Sequence, residues 1–71
     1  MTKKQAIQIA LEPSAFSLMH LDRARARLRE SLEKGTSGGF FEHQYVQDRA
    51  ADLDRAIATR RASDGEGASL S

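Results

Sequence analysis

Lys34-Gly35-Thr36-Ser37-Gly38-Gly39-Phe40-Phe41 is the stretch on which the fold turns. Gly35 reads as a helix stop, because a residue without Cβ takes left-handed backbone at no steric cost, and the glycine-rich run after it reads as a flexible link. Going back from Gly35, Leu32, Leu28, Ala24, Leu21 and Leu18 recur at spacings of three and four, which places them on one stripe of an α-helix. Ser14, directly after Pro13, is the expected N-cap, so this helix is predicted to run from there to Lys34. Going forward, Val46, Ala50, Leu53 and Ile57 repeat the pattern, flanked by Tyr45 and Ala56, and predict a second helix from about Phe41 to Ala62. A short link between two helices makes them antiparallel neighbours whose stripes face each other. The expected fold is therefore all-α: an antiparallel two-helix hairpin with a short N-terminal segment and a disordered C-terminal tail.

The ends of the chain are less regular. In residues 3–12, Ile7, Ile9 and Leu11 alternate as in a strand, while Ile7, Ala10 and Leu11 also fit a helical turn, so this segment stays open between the two. From Ser63 onward the chain is poor in apolar anchors and rich in Gly and Ser, which predicts a flexible tail over 63–71 beside an interaction domain over 1–62.

Composition limits what such a fold does alone. The 71 residues include 28 apolar ones, but 11 are alanine, leaving 17 larger apolar side chains for a core. Chains this short usually need disulfides, a metal or a partner. There is no cysteine, and the two histidines lie in different predicted helices without a ligand at metal-binding spacing. A partner chain is what remains, and the sequence leaves open whether it is a second copy. No apolar run is long enough for a membrane span, and Lys3-Lys4 is followed by no signal-peptide core, so a cytoplasmic protein is expected. A net charge of +1 gives no long-range attraction to nucleic acid.

No constellation for chemistry stands out. Ser14, Ser17, Ser31 and Ser37 sit in no nucleophile elbow, and Gly35 to Gly39 lacks the Gly-Lys-Ser/Thr ending of a phosphate loop. Neither an enzymatic role nor a cofactor is expected. Arg23, Arg25, Arg27 and Arg29 recur every second residue, which spreads them round the helix as solvated charge. Arg27 with Glu30, Arg29 with Glu33 and Glu30 with Lys34 form the expected helical pairs, and Arg60-Arg61 complement a helix C-terminus. The candidate protein-binding residues are Phe16 and Met19, outside the stripe, together with Phe40 and Phe41. The two phenylalanines either cap the open end of the seam or anchor a partner, and a helical partner would bury all four.

Leu21, Ala24, Leu28 and Leu32 before a helix-ending Gly35, followed by Gln44, Gln47, Leu53, Asp54, Ala56, Ile57 and Ala58, resemble the small cochaperones of type III secretion needle subunits. The likeness spans Leu21 to Ala58; Arg25 and Arg60-Arg61 depart from it by standing where those relatives are apolar. It implies a helical hairpin that binds a tetratricopeptide-like chaperone, the two together keeping a needle subunit soluble by covering its polymerising surface. Gln5 to Pro13 instead resembles the strand and turn that open ribbon-helix-helix repressors and antitoxins, which implies a dimeric ribbon in the DNA major groove with Gln8 reading a base edge. A small phage protein acting by protein binding is a further reading.

Overall fold

The computed structural model describes residues 1–35 and 39–70, with side chains described as far as Ser63. Among the described residues the regular elements are all helical, without strands: α1 spans Lys3–Leu11, α2 spans Leu18–Glu33 and α3 spans Phe40–Leu70.

The open N-terminal segment is a helix. Thr2 and Gln5 form a capping box, in which the Gln5 N–H donates to Thr2 Oγ1 at 3.1 Å and the Thr2 N–H donates to Gln5 Oε1 at 3.0 Å. Ala6, Ile9 and Ala10 are its buried face, a helical spacing that overrides the alternation of Ile7, Ile9 and Leu11. α1 stops where proline dictates. Glu12, the residue before Pro13, leaves the helical region at φ −134° and ψ 62°, and Pro13–Ala15 make one 3-10 turn.

That turn displaces the expected start of α2. Ser14 lies inside the turn, Phe16 is extended, and Ser17 is the N-cap, its Oγ accepting from the His20 N–H at 3.5 Å. At the other end the Gly35 N–H donates to the Leu32 carbonyl at 3.3 Å, and Gly35 has φ +67°, the left-handed conformation that glycine adopts without strain. α3 begins at Phe40, with the Gly39 carbonyl accepting from the His43 N–H at 2.8 Å, and its backbone continues past the expected end at Ala62 to Leu70. With no proline after Pro13, nothing forces a break there. Thr36 to Gly38 of the link, Ser71, and the side chains of 64–70 on which the expected flexible tail falls lie outside the described residues.

The core joins all three helices: Ala6, Ile9 and Ala10 from α1; Leu21, Ala24 and Leu28 from α2; Val46, Ala50, Leu53 and Ile57 from α3. Each fully buried leucine or isoleucine contributes roughly 1.5–3 kcal/mol relative to exposure. Among the described residues four of these ten positions are alanine, which lets helix axes approach closely and leaves six larger buried side chains, with Ile7, Phe16, Leu18 and Leu32 packed partly buried against them. α1 thus contributes three residues to the same core as α2 and α3, beyond the two helices that the stripes predicted.

Ion pairs across α2 and α3 follow a reversed order. Asp22 near the start of α2 meets Arg61 at 3.2 Å, while Arg25 and Arg29 further along meet Asp54 at 3.4 and 2.8 Å. Arg25 also holds Asp22 at 3.3 Å, so the five residues form one continuous chain of alternating charge.

Candidate protein-binding surface

Phe16, Met19, Phe40 and Phe41 do not share one face. Phe16 and Met19 flank the start of α2, whereas Phe40 and Phe41 begin α3 beyond its end; the helix between them is roughly 24 Å long at 1.5 Å per residue.

Phe16 is the least accessible of the four. The 3-10 turn aims its ring at the bundle, where it packs against the core and approaches the His20 ring, with centroids 6.2 Å apart. Its carbonyl accepts from Arg60 Nη1, and the Pro13 carbonyl accepts from Arg60 Nη2 at 3.1 Å. Arg60 therefore fastens the α1–α2 connection onto α3, through charge-assisted hydrogen bonds to two carbonyls of that connection. Beside Phe16 a concavity of about 340 Å³ opens between α1 and α2, lined by Met1, Gln5, Gln8, Ile9 and His20. Met19, on the outer side of α2, is 54% exposed.

At the opposite end Phe40 and Phe41 are 78% and 85% exposed. Their rings meet edge to face at 5.5 Å, a favourable aromatic geometry that buries little of either. They do not cap the seam. One turn on, Tyr45 lies beneath the Arg49 guanidinium at 5.1 Å, and Arg49 is held in place by Asp52 at 3.0 Å.

The polar residues have structural partners. Ser17 Oγ lies 2.7 Å from His20 Nδ1, a contact within the N-cap turn that also engages the backbone. Among the described residues no group of three or more His, Asp or Glu side chains converges as a metal site, and no helix is long and apolar enough to cross a membrane. Glu30 lies 2.7 Å from Lys34, and that hydrogen bond, with the lysine charge behind it, holds the Glu30 carboxyl below its usual 4.5.

Spacing along one helix did not reveal the arginines' roles. Arg25 and Arg29 reach across to Asp54, Arg27 Nε donates to the Met1 carbonyl at 3.2 Å, and Arg60 and Arg61 fasten the start of α2 instead of complementing a C-terminus, because α3 runs on beyond them. The available signal was charge complementarity between helices, Asp22 with Arg61 and Asp54 with Arg25 and Arg29.

Compared with known proteins, the chain matches no family model, and neither a curated protein nor a solved structure matches it.

Proposed function

We propose that this chain is a small cytoplasmic protein-binding adaptor, of the kind that needle-subunit cochaperones exemplify, in which α2 and α3 form an antiparallel hairpin buttressed by α1. The reversed order of the Asp22–Arg61 and Arg29–Asp54 pairs supports the antiparallel arrangement. The observation that carries the binding role is the pair Phe40 and Phe41, 78% and 85% exposed at the open end of the bundle. Two adjacent aromatic rings left in water are large, rigid anchors with little conformational entropy to lose on docking. A tetratricopeptide-like helical partner offers grooves for such anchors, and the chemistry is steric: a covered apolar surface on a needle subunit, with no catalytic step.

The test is purification of the chain from its source cell with identification of what comes with it. A helical-repeat protein is expected, and replacing Phe40 and Phe41 together by serine should weaken that complex by at least about 1 kcal/mol without changing helicity. Met19→Ser probes the opposite end cleanly, whereas Phe16→Ser also removes packing from the core. Retention of the partner by the double phenylalanine variant would refute the face. The ribbon-helix-helix alternative needs residues 5–12 as a strand, and in the structure they belong to α1 and its C-cap. Recovery of a specific duplex DNA whose binding is lost in Gln8→Ala would nevertheless favour it.

A further inference from the structure

The back of α3, away from the core, repeats with the period of a coiled-coil seam. Phe41, Asp48, Arg55 and Ala62 recur every seventh residue, and Gln44, Ala51 and Ala58 recur every seventh between them. At 100° per residue this three-and-four spacing forms a single stripe, on the far side of the helix from Val46, Ala50, Leu53 and Ile57. All seven residues are exposed. The stripe is about 30 Å long at 1.5 Å per residue and is straight enough for one helix to lie along another.

We propose that the occupant of this stripe is the same stripe of a second copy, packed antiparallel about a two-fold axis beside Ala51. An antiparallel pair sets position against position in reverse, and the residues complement one another under that operation. Asp48 of one copy meets Arg55 of the other, twice by symmetry. Phe41 meets Ala62, large against small, again twice, and Phe40 and Phe41 straddle the facing helix at each end. Ala51 lies at the axis, where a small side chain lets the two backbones approach. A parallel pair does the opposite: it places Asp48 on Asp48, Arg55 on Arg55 and Phe41 on Phe41, with alanine facing alanine at the other end.

Two further observations agree. Arg25, Arg27, Arg29, Arg49, Arg60 and Arg61 all have a carboxylate or carbonyl partner within the chain, while Arg23 on α2 and Arg55 on α3 have no ion-pair partner among the described residues. Among the described residues Asp48 is engaged only by Gln44, at 3.2 Å on its own helix. Among the described residues the fully buried core holds six side chains larger than alanine, and for a chain this small association is a usual source of further stability. An isologous interface of this type closes at two copies and draws on Phe40 and Phe41, so the dimer and the complex with a helical partner exclude each other and the dimer is the state of the chain without that partner. This inference goes beyond the adaptor role and concerns the purified chain alone.

Sedimentation equilibrium of the full chain measures it. A dimer is expected. Asp48→Arg and Arg55→Asp, each of which creates two like-charge contacts, should raise the dimer dissociation constant by at least about tenfold while circular dichroism shows unchanged helicity. The double variant Asp48→Arg/Arg55→Asp exchanges the charges and should return the constant to that of the parent. Ala51→Cys, in a chain that otherwise has no cysteine, should form a disulfide-linked dimer on mild oxidation, because the two thiols meet at the axis. A chain that stays monomeric at millimolar concentration overturns the proposal. So does a dimer indifferent to both single reversals, or one that the double exchange does not restore.

Discussion

The inner and outer faces of α3 are written with the same spacing and have opposite fates. Val46, Ala50, Leu53 and Ile57 step by four, three and four and are buried to 5% exposure or less. Asp48, Ala51, Arg55 and Ala58 step by three, four and three and stand in water. Spacing therefore identifies a face, and the chemistry on that face decides what covers it. The inner stripe is branched and apolar, and α1 and α2 are sufficient to cover it. The outer stripe combines alanines with one acid, one base, one amide and an aromatic ring, a mixture that no described part of its own chain buries. A surface of single charges and small residues is an ordinary solvated face unless its order is self-complementary, as it is here.

The strongest way to break this contrast is to empty the inner face. Leu28→Ala and Leu53→Ala each remove a side chain with no exposed surface, and each should lower stability by roughly 2–4 kcal/mol, the transfer loss plus the cavity left behind. Losses of that size are comparable with the total stability of a domain this small, so either variant should melt near or below room temperature. Thermal denaturation followed by circular dichroism decides it; near-parental melting of both would mean that the seam lies elsewhere.

A sharper comparison uses neighbouring alanines on opposite faces. Ala50 is 5% exposed against the other helices, so Ala50→Leu overpacks the seam and should cost about 1–3 kcal/mol. Ala51, one residue on, faces out, and Ala51→Leu should change stability by less than about 0.5 kcal/mol. Both belong in the Asp48→Arg background, where self-association contributes least. Equal effects from the two substitutions would show that α3 is rotated from the position described.

Legibility followed the same division. The leucine and isoleucine stripes of α2 and α3 and the stop at Gly35 were readable because period and glycine conformation are local properties. The N-terminal segment was not: with Ala6, Ile9 and Ala10 as its buried face, two of its three core residues are too small to outweigh the alternation of Ile7, Ile9 and Leu11, and packing against α2 and α3 settled the conformation. Ser14 was mistaken for a cap because Ser14 and Ser17 are both competent caps, and the choice depended on how far the Pro13 turn extends. Of the candidate surface, Phe40 and Phe41 were legible as aromatics beside a glycine-rich link, but not their distance from Met19, which depends on helix length and connection together. The arginines were read within one helix, whereas Arg25, Arg29 and Arg61 are satisfied by residues on another.

The smallest expected effect lies on the outer surface of α2, where Glu30 and Lys34 sit one turn apart in water. Lys34 lowers the Glu30 carboxyl from 4.5 chiefly by donating a hydrogen bond and then by its charge, with a smaller contribution from Arg27. A carboxyl whose folded value lies below its unfolded one contributes stability above the unfolded value and loses it as pH falls through the folded value. The pair should therefore help the helix at neutral pH and cease to help in acid, below the range where an ordinary glutamate titrates. Carboxyl carbon chemical shifts followed through an acid titration should show Glu30 with a midpoint below 4.5, moving upward in Lys34→Met and upward in high salt, which screens exposed charges. The same midpoint with and without Lys34 would mean that the ion pair is not formed in solution. Because both groups remain hydrated, the melting temperature of Lys34→Met should stay close to that of the parent at neutral pH, far from the losses expected at Leu28 and Leu53.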